Sequence, residues 1–440
     1  MKTTIVIPNY NGAHFLEKCM PALLSQSRQD FSILFVDNAS KDNSEKQIRY
    51  WMEQDPERIF LIQNTKNTGF ATAVNQGILW AKGQGASYAL LLNNDTEVAP
   101  DFVEQLLLFM EEKEKKLDSL LKTPKGLGII EDLAIKLEGM QQNYQPKKKM
   151  VLVMAADNGV ECEKVSKSKR VITQYVVEAM LNGTSSINSL AKSFGADVKV
   201  VDLGIDESSS NSKKFDFKGI IDKKLMPFGT NNIADEAAMS YETAVSAIEI
   251  GIKMVDEFVK KDYNLFATGE MGIGNTSTSS AILKVFSDLP LDDIVGLGSG
   301  IDKKTLEHKK EVIKRAIFTK EIDKNDPIDI LSKVGGLDIA GMTGTFLGCA
   351  KNGVPVVIDG FISAVAALVA HKLCPNARDY MISSHLSCEP GMKYIMSELN
   401  LDAPLLMNMK LGEGTGAVLM FPIIEAACRI TEDVKTYPDV

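Results

Sequence analysis

Leu265-Phe266-Ala267 leads into Gly269-Glu270-Met271-Gly272-Ile273-Gly274-Asn275-Thr276-Ser277, and this join decides the fold. An apolar run, a glycine loop and a helical stretch starting near Ser277 read as strand, turn and helix. The glycines permit positive φ and a close approach of backbone to a ligand. Backbone N–H groups at the helix start attract an anion, and phosphate is the natural guest. No G-K-[ST] closes the loop, so it is not a Walker loop. A tight strand–helix turn without a ligand fits the same residues.

Outward from this join the pattern recurs. Val151–Ala155, Val198–Val201, Val354–Ile358 and Tyr380–Ser383 read as strands, ending at Asp157, Asp202, Asp359 and His385. Ala238–Phe258, Leu306–Ile317 and Phe361–His371 are helical in period. The alternation predicts a doubly wound α/β domain with a parallel sheet and associated helices over 109–440. Residues 1–108 predict a smaller, partial α/β unit, with strands Thr3–Ile7, Ser32–Val36, Ile59–Ile62 and Tyr88–Leu92 and a helix Ala71–Ala81. Asp37 and Asp95 fall just past strand ends, where parallel sheets bind ligands. The Glu- and Lys-rich stretch Phe109–Leu121 is helical and is assigned to the second domain. There are no internal repeats, and the serine-rich Ser208–Lys214 reads as a surface loop.

Bulk properties narrow the function. The 440 residues are 45% hydrophobic and 24% charged, as in soluble globular proteins. With 49 basic against 58 acidic residues the net charge is −9, which argues against general nucleic-acid binding. The six cysteines form no C-x-x-C pair, and with four histidines no zinc-ligand spacing arises. The apolar run Phe361–Ala370 is far shorter than the roughly 20 residues of a membrane span. No signal peptide is read before Pro8, so a cytoplasmic protein is expected.

Four further sites carry possible chemistry. Leu411-Gly412-Glu413-Gly414-Thr415-Gly416-Ala417 sets a carboxylate on sharply bending backbone, which suits a general base or a flexible turn with an exposed Glu. Asp359 is expected to cap the helix Phe361–His371. His385-Leu386-Ser387-Cys388-Glu389-Pro390-Gly391 is a strand-end loop whose histidine reads equally as core. Lys309 reads by itself as part of a solvated helix face.

In order along the chain, Leu117–Met140, GEMGIGNTS (269–277), GLGSGID (296–302), the Lys309 helix, PVVIDGFI (355–362), HLSCEPG (385–391) and LGEGTGA (411–417) resemble the nicotinate-nucleotide–dimethylbenzimidazole phosphoribosyltransferases of cobalamin lower-ligand activation. The resemblance implies transfer of phosphoribose from nicotinate mononucleotide to an aromatic base. It makes Glu413 the catalytic base. It places Glu270, Gly272, Ile273, Gly274, Asn275, Thr276, Lys309, Ser387 and Gly412 on the substrates. It implies a homodimer and no metal or organic cofactor. The chain departs from the family near the base pocket: Asp157-Asn158-Gly159-Val160 stands for D-H-G-V, Ser166-Lys167-Ser168-Lys169-Arg170 for S-x-Y-P-Q, and HLSCEPGM for H-R-S-A-E-P-G-H. A benzimidazole, a purine and a phenolic acceptor therefore all stay open.

Ile5-Val6-Ile7-Pro8-Asn9-Tyr10-Asn11, Val36-Asp37-Asn38-Ala39-Ser40, Asn67-Thr68-Gly69-Phe70-Ala71 and Leu92-Asn93-Asn94-Asp95 resemble the nucleotide-binding half of inverting family 2 glycosyltransferases. That likeness implies Asp37 against a nucleotide base and Asp95 on a divalent metal, should a sugar nucleotide bind. The family's acceptor half is missing, so no sugar transfer is expected. Three functions are weighed: an active phosphoribosyltransferase, a sugar-nucleotide glycosyltransferase, and a non-catalytic subunit of an active paralogue. Intact GEMGIGN and LGEGTG loops favour the first.

Overall fold

The computed structural model describes residues 3–209, 215–296 and 300–437. Residues 297–299 of the GLGSGID motif and 210–214 of the serine-rich stretch lie outside them. The chain forms two compact units, Met1–Ser119 and Leu120–Val440.

In the first unit four parallel strands, β1 (Thr3–Asn9), β2 (Phe31–Asp37), β3 (Ile59–Gln63) and β4 (Tyr88–Leu91), lie in the order β3-β2-β1-β4. Ile5, Ile7, Phe31, Ile33 and Phe35 pack on one face, and Val6, Leu34 and Val36 on the other, as the two-residue period of a strand requires. The charged helix runs Phe102–Asp118 and lies within the first compact unit. Its Val103 and Leu107 enter the first unit's core, and Glu111 pairs with Arg28 at 3.0 Å. Charge density marked its solvent face, while two apolar residues decide where it packs.

The second unit holds six parallel strands: β5 (Lys148–Ala156), β6 (Ala196–Gly204), β7 (Ile221–Asp222), β8 (Tyr263–Met271), β9 (Val356–Ile358) and β10 (Met381–Ser383). Their order is β10-β9-β8-β5-β6-β7. On β5, Met150, Leu152 and Met154 face one core, shared with the helices Tyr241–Val259, Leu337–Lys351 and Phe361–Leu373. Val151, Val153 and Ala155 face the other, against Ile129–Met140, Val171–Leu181 and Phe421–Asp433. A continuous apolar run is what a strand covered on both sides needs. β8 extends through Glu270 and Met271, so the first third of the quoted stretch Gly269–Ser277 is strand. Among the described residues no helix is long and apolar enough to cross a membrane.

The helices Tyr241–Val259 and Leu337–Lys351 touch backbone to backbone. A Cβ added at Gly344 would stand 1.9 Å from the carbonyl oxygen of Ile248. Gly344→Ala must push the helices apart, and overpacking of this kind costs about 1–3 kcal/mol. Its melting temperature should fall by several degrees. An unchanged transition in calorimetry would mean that the contact yields freely.

Candidate active site

The order of the six strands reverses between β5 and β8. Strands 5, 6 and 7 proceed one way and 8, 9 and 10 the other, so the loops after β5 and β8 diverge and leave a crevice at the carboxyl ends. The two loops also grip each other. A Cβ at Gly272 would lie 2.0 Å from the carbonyl oxygen of Ala156, so only glycine fits. Asn158 N donates to the Ile273 carbonyl at 3.3 Å. Ile273 N donates to Thr173 Oγ1 at 3.3 Å, and that hydroxyl donates to Asp157 Oδ1 at 2.6 Å. Asp157 Oδ2 accepts from Asp206 N at 2.9 Å. Burial pushes the Asp157 carboxyl up to about 7, against the pull of these hydrogen bonds and of Arg170.

One pocket in this crevice brings together Glu270, Gly272, Ile273, Gly274, Asn275, Thr276, Ser387, Gly412 and Glu413. The helix Asn275–Phe286 starts after left-handed Gly274 with no side-chain cap; Asn275 N donates to the Gly272 carbonyl at 3.2 Å and Ser277 N to the Gly274 carbonyl at 2.9 Å, so the loop closes its own first turn. Lys309 reaches the loop from behind. It is 1% exposed, not a solvated helix face, and its Nζ donates to Thr276 Oγ1 at 3.2 Å. Burial lowers its proton affinity, and Glu389 opposes that shift. Glu413 is buried too, with Oε2 unpartnered among the described residues. Burial and then the neighbouring Asp359 raise its carboxyl, while the Ile187 N–H lowers it. Glu413 lines the pocket, and its Oε2, buried and without a partner among the described residues, has the free capacity to accept a proton.

One further expectation changes. Asp359 does not cap the following helix, whose cap position is Gly360 with no side-chain bond. Its carboxylate turns to the 414–417 backbone instead. His385 is buried at 3% exposure beside Ser384 and also lines the pocket, so it is both core and site. Of the segment that departs from the family, Ser166 and Ser168 line the pocket, while Arg170 pairs with Asp206 at 3.0 Å.

Sequence reasoning missed Asp338. It follows the glycine pair Gly335-Gly336 at a helix start, the one local signal available. Asn275 Nδ2 donates to Glu270 Oε2 and, at 3.0 Å, to Asp338 Oδ2. Burial first, then the charge of Asp338, pushes Glu270 up to about 8. Burial pushes Asp338 up to about 6, against Asn275 and the Ile339 N–H. Burial thus favours the neutral form of Glu270, the form able to donate a hydrogen bond.

The first unit has its own cleft at the β1/β4 reversal, lined by Asn9, Tyr10, Asn38, Asn93, Asn94 and Asp95. Asp37 is absent from that lining. Its Oδ1 accepts from Asn9 Nδ2 at 2.8 Å and Ser40 Oγ at 2.6 Å, and its Oδ2 from Ser40 N at 3.0 Å, so it ties loops together rather than facing a ligand. No group of three or more potential metal ligands occurs among the described residues.

Fold and crevice define the class, an α/β protein with a pocket at the switch point of a parallel sheet. Residues 107–440 match the family model described as Phosphoribosyltransferase, and the chain belongs to that family. Residues 4–124 match the one described as Glycosyl transferase family 2. The chain is 45% identical over 333 residues to the nicotinate-nucleotide–dimethylbenzimidazole phosphoribosyltransferase of Desulforamulus reducens, covering 75% of this chain and 93% of that one. It is 44% identical over 320 residues to the Clostridium acetobutylicum enzyme of the same name, covering 72% and 89%. The crystal structure of CobT from Thermus thermophilus matches with a TM-score of 0.70 at 32% identity, over 75% of this chain and 97% of that one.

A group whose folded pKa is raised contributes stability in full below its unfolded value, and that contribution is lost as pH rises through the folded value. For Glu270 the window runs from 4.5 to about 8. Glu270→Gln removes the buried ionisation. Its gain in melting temperature should be larger at pH 8.5 than at pH 6. An equal gain at both would mean that Glu270 titrates normally in the folded protein.

Proposed function

We propose that the second unit transfers phosphoribose from nicotinate mononucleotide to an aromatic base, 5,6-dimethylbenzimidazole or a related one. The products are nicotinate and an α-riboside phosphate for assembly of the cobalamin nucleotide loop. The observation that carries this reading is Glu413, whose unpartnered carboxylate oxygen shares a pocket with a glycine loop backed by Lys309.

The donor's C1′–N bond breaks with its electron pair moving to the pyridinium nitrogen, which neutralises it. The leaving group thus needs no acid. The acceptor needs activation. Its N–H proton goes to Glu413 while its other ring nitrogen forms the new bond to C1′. Positive charge grows on the ribose as the old bond opens. The carboxylate of Glu413 at the pocket favours both that charge and the pyridinium cation. Gly272, Gly274 and Thr276 hold the phosphate, with Lys309 neutralising it. Ile273, Asn275, Gly412 and Ser387 complete the substrate contacts. No metal or organic cofactor takes part. Homodimer assembly and a cytoplasmic setting go with this reading.

Purified protein given nicotinate mononucleotide with 5,6-dimethylbenzimidazole, adenine or p-cresol should release nicotinate only when an acceptor is present. Mass spectrometry of the products names the acceptor. Glu413→Gln should lower kcat by about 10²–10⁴-fold with donor affinity nearly unchanged. Full activity in that variant would remove Glu413 from the base role, and no release with any acceptor would turn the reading to a subunit that supports an active paralogue.

The reaction is assigned to the second unit alone. A chain without residues 1–108 should keep kcat and KM within about twofold. A soluble, folded but inactive truncation would give the first unit a part in the reaction.

A further inference from the structure

Glu413 has an unusual backbone. Gly412, Glu413 and Gly414 all have positive φ, at +85°, +65° and +89°. Two of the three can be glycine, but Glu413 must carry a side chain in a conformation that L residues rarely adopt. Such a stretch persists only where its surroundings hold it. A bond from Glu413 N to Glu270 Oε1, at 3.4 Å, is at the limit of a hydrogen bond. The close contacts come from Asp359. Its Oδ2 accepts from Gly414 N at 3.0 Å, and its Oδ1 from Gly416 N at 2.7 Å and Ala417 N at 3.0 Å.

Asp359 is itself fixed from two sides. Its N–H donates to Ser363 Oγ at 3.1 Å, and its carbonyl accepts from Ser384 Oγ at 3.2 Å. It is 2% exposed. One buried carboxylate at the end of β9 therefore collects three N–H groups from the backbone that immediately follows Glu413. Three charge-assisted bonds to one short segment exceed what capping a turn requires.

We propose that Asp359 is a positioning residue for the catalytic base, acting on phosphoribosyl transfer only through the conformation of Glu413. This rests on the reading of Glu413 as the base. Asparagine at 359 has the same size, but its amide nitrogen must face at least one of the three N–H donors, so the clamp loosens without leaving a cavity.

The test is a double-mutant cycle on the full chain, with nicotinate release as readout. Asp359→Asn should lower kcat by about 10–100-fold and leave KM for nicotinate mononucleotide within about threefold. Placed on Glu413→Gln, it should cost no more than about twofold, because the group it positions is already gone. A general structural defect would instead lower both backgrounds by the same factor, and that result, or an unchanged kcat in the single variant, overturns the proposal. Should Asp359→Asn be insoluble, Ser363→Ala makes the same test more gently. It should lower kcat by about 3–10-fold in the wild-type background and not in Glu413→Gln, and equal losses overturn the proposal. The two readings fail differently. Full activity in Glu413→Gln removes the base and the positioning role together, whereas an inactive Glu413→Gln with additive losses removes the positioning role alone.

Discussion

The contact on which the rest depends is the meeting of two loops at the β5/β8 reversal, where Gly272 lies against the carbonyl oxygen of Ala156. Adjacent parallel strands whose connections leave in opposite directions must open a crevice at their carboxyl ends. The crevice serves chemistry only if its walls keep one geometry. Here the backbone of one wall touches the backbone of the other, and the chain Asp157, Thr173, Ile273 fastens the glycine loop from beneath. A side chain at 272 would separate the walls and move the start of the helix Asn275–Phe286 with them.

Burial then sets the electrostatics. Asp157, Glu270, Asp338 and Asp359 lie in one region from which water is largely excluded, and burial is the leading cause of the upward shift of each. Water would leave them ionised and mutually repelling. In the fold, the Asn275 amide and backbone N–H groups favour the ionised forms, while burial favours the neutral ones, most of all at Glu270. The differing proton affinities separate roles among residues of one chemical type: a hydrogen-bond donor in Glu270, a backbone clamp in Asp359, and a free acceptor oxygen on Glu413.

The first unit follows the same physics with a different result. Its sheet also reverses, at β1/β4, and its cleft also lies at the carboxyl ends. Asparagine amides and Asp95 line it, and Asp37 is consumed in holding Asn9 and Ser40. A motif that names a residue type just past a strand end does not say whether the side chain turns outward to a ligand or inward to its own loops.

What the sequence determined by itself was set by local periods and by residues with few conformational options. Apolar runs ending in glycine, aspartate or histidine marked the strands that line the crevice, and the spacing GEMGIGNTS to LGEGTGA picked out the loops that form the pocket. What only the tertiary structure decided was where side chains point once distant segments meet. Lys309 looked solvated because its neighbours in sequence are charged, yet the turn of its helix carries it into the core beneath Thr276. Asp359 looked like a helix cap because caps are local, yet the 414–417 backbone, 55 residues or more onward in the chain, offered three N–H groups that its own helix did not. Asp338 carried almost no local signal, since its influence on Glu270 comes from a shared amide, that of Asn275. Burial and pairing are properties of the packed interior, and no window of sequence contains them.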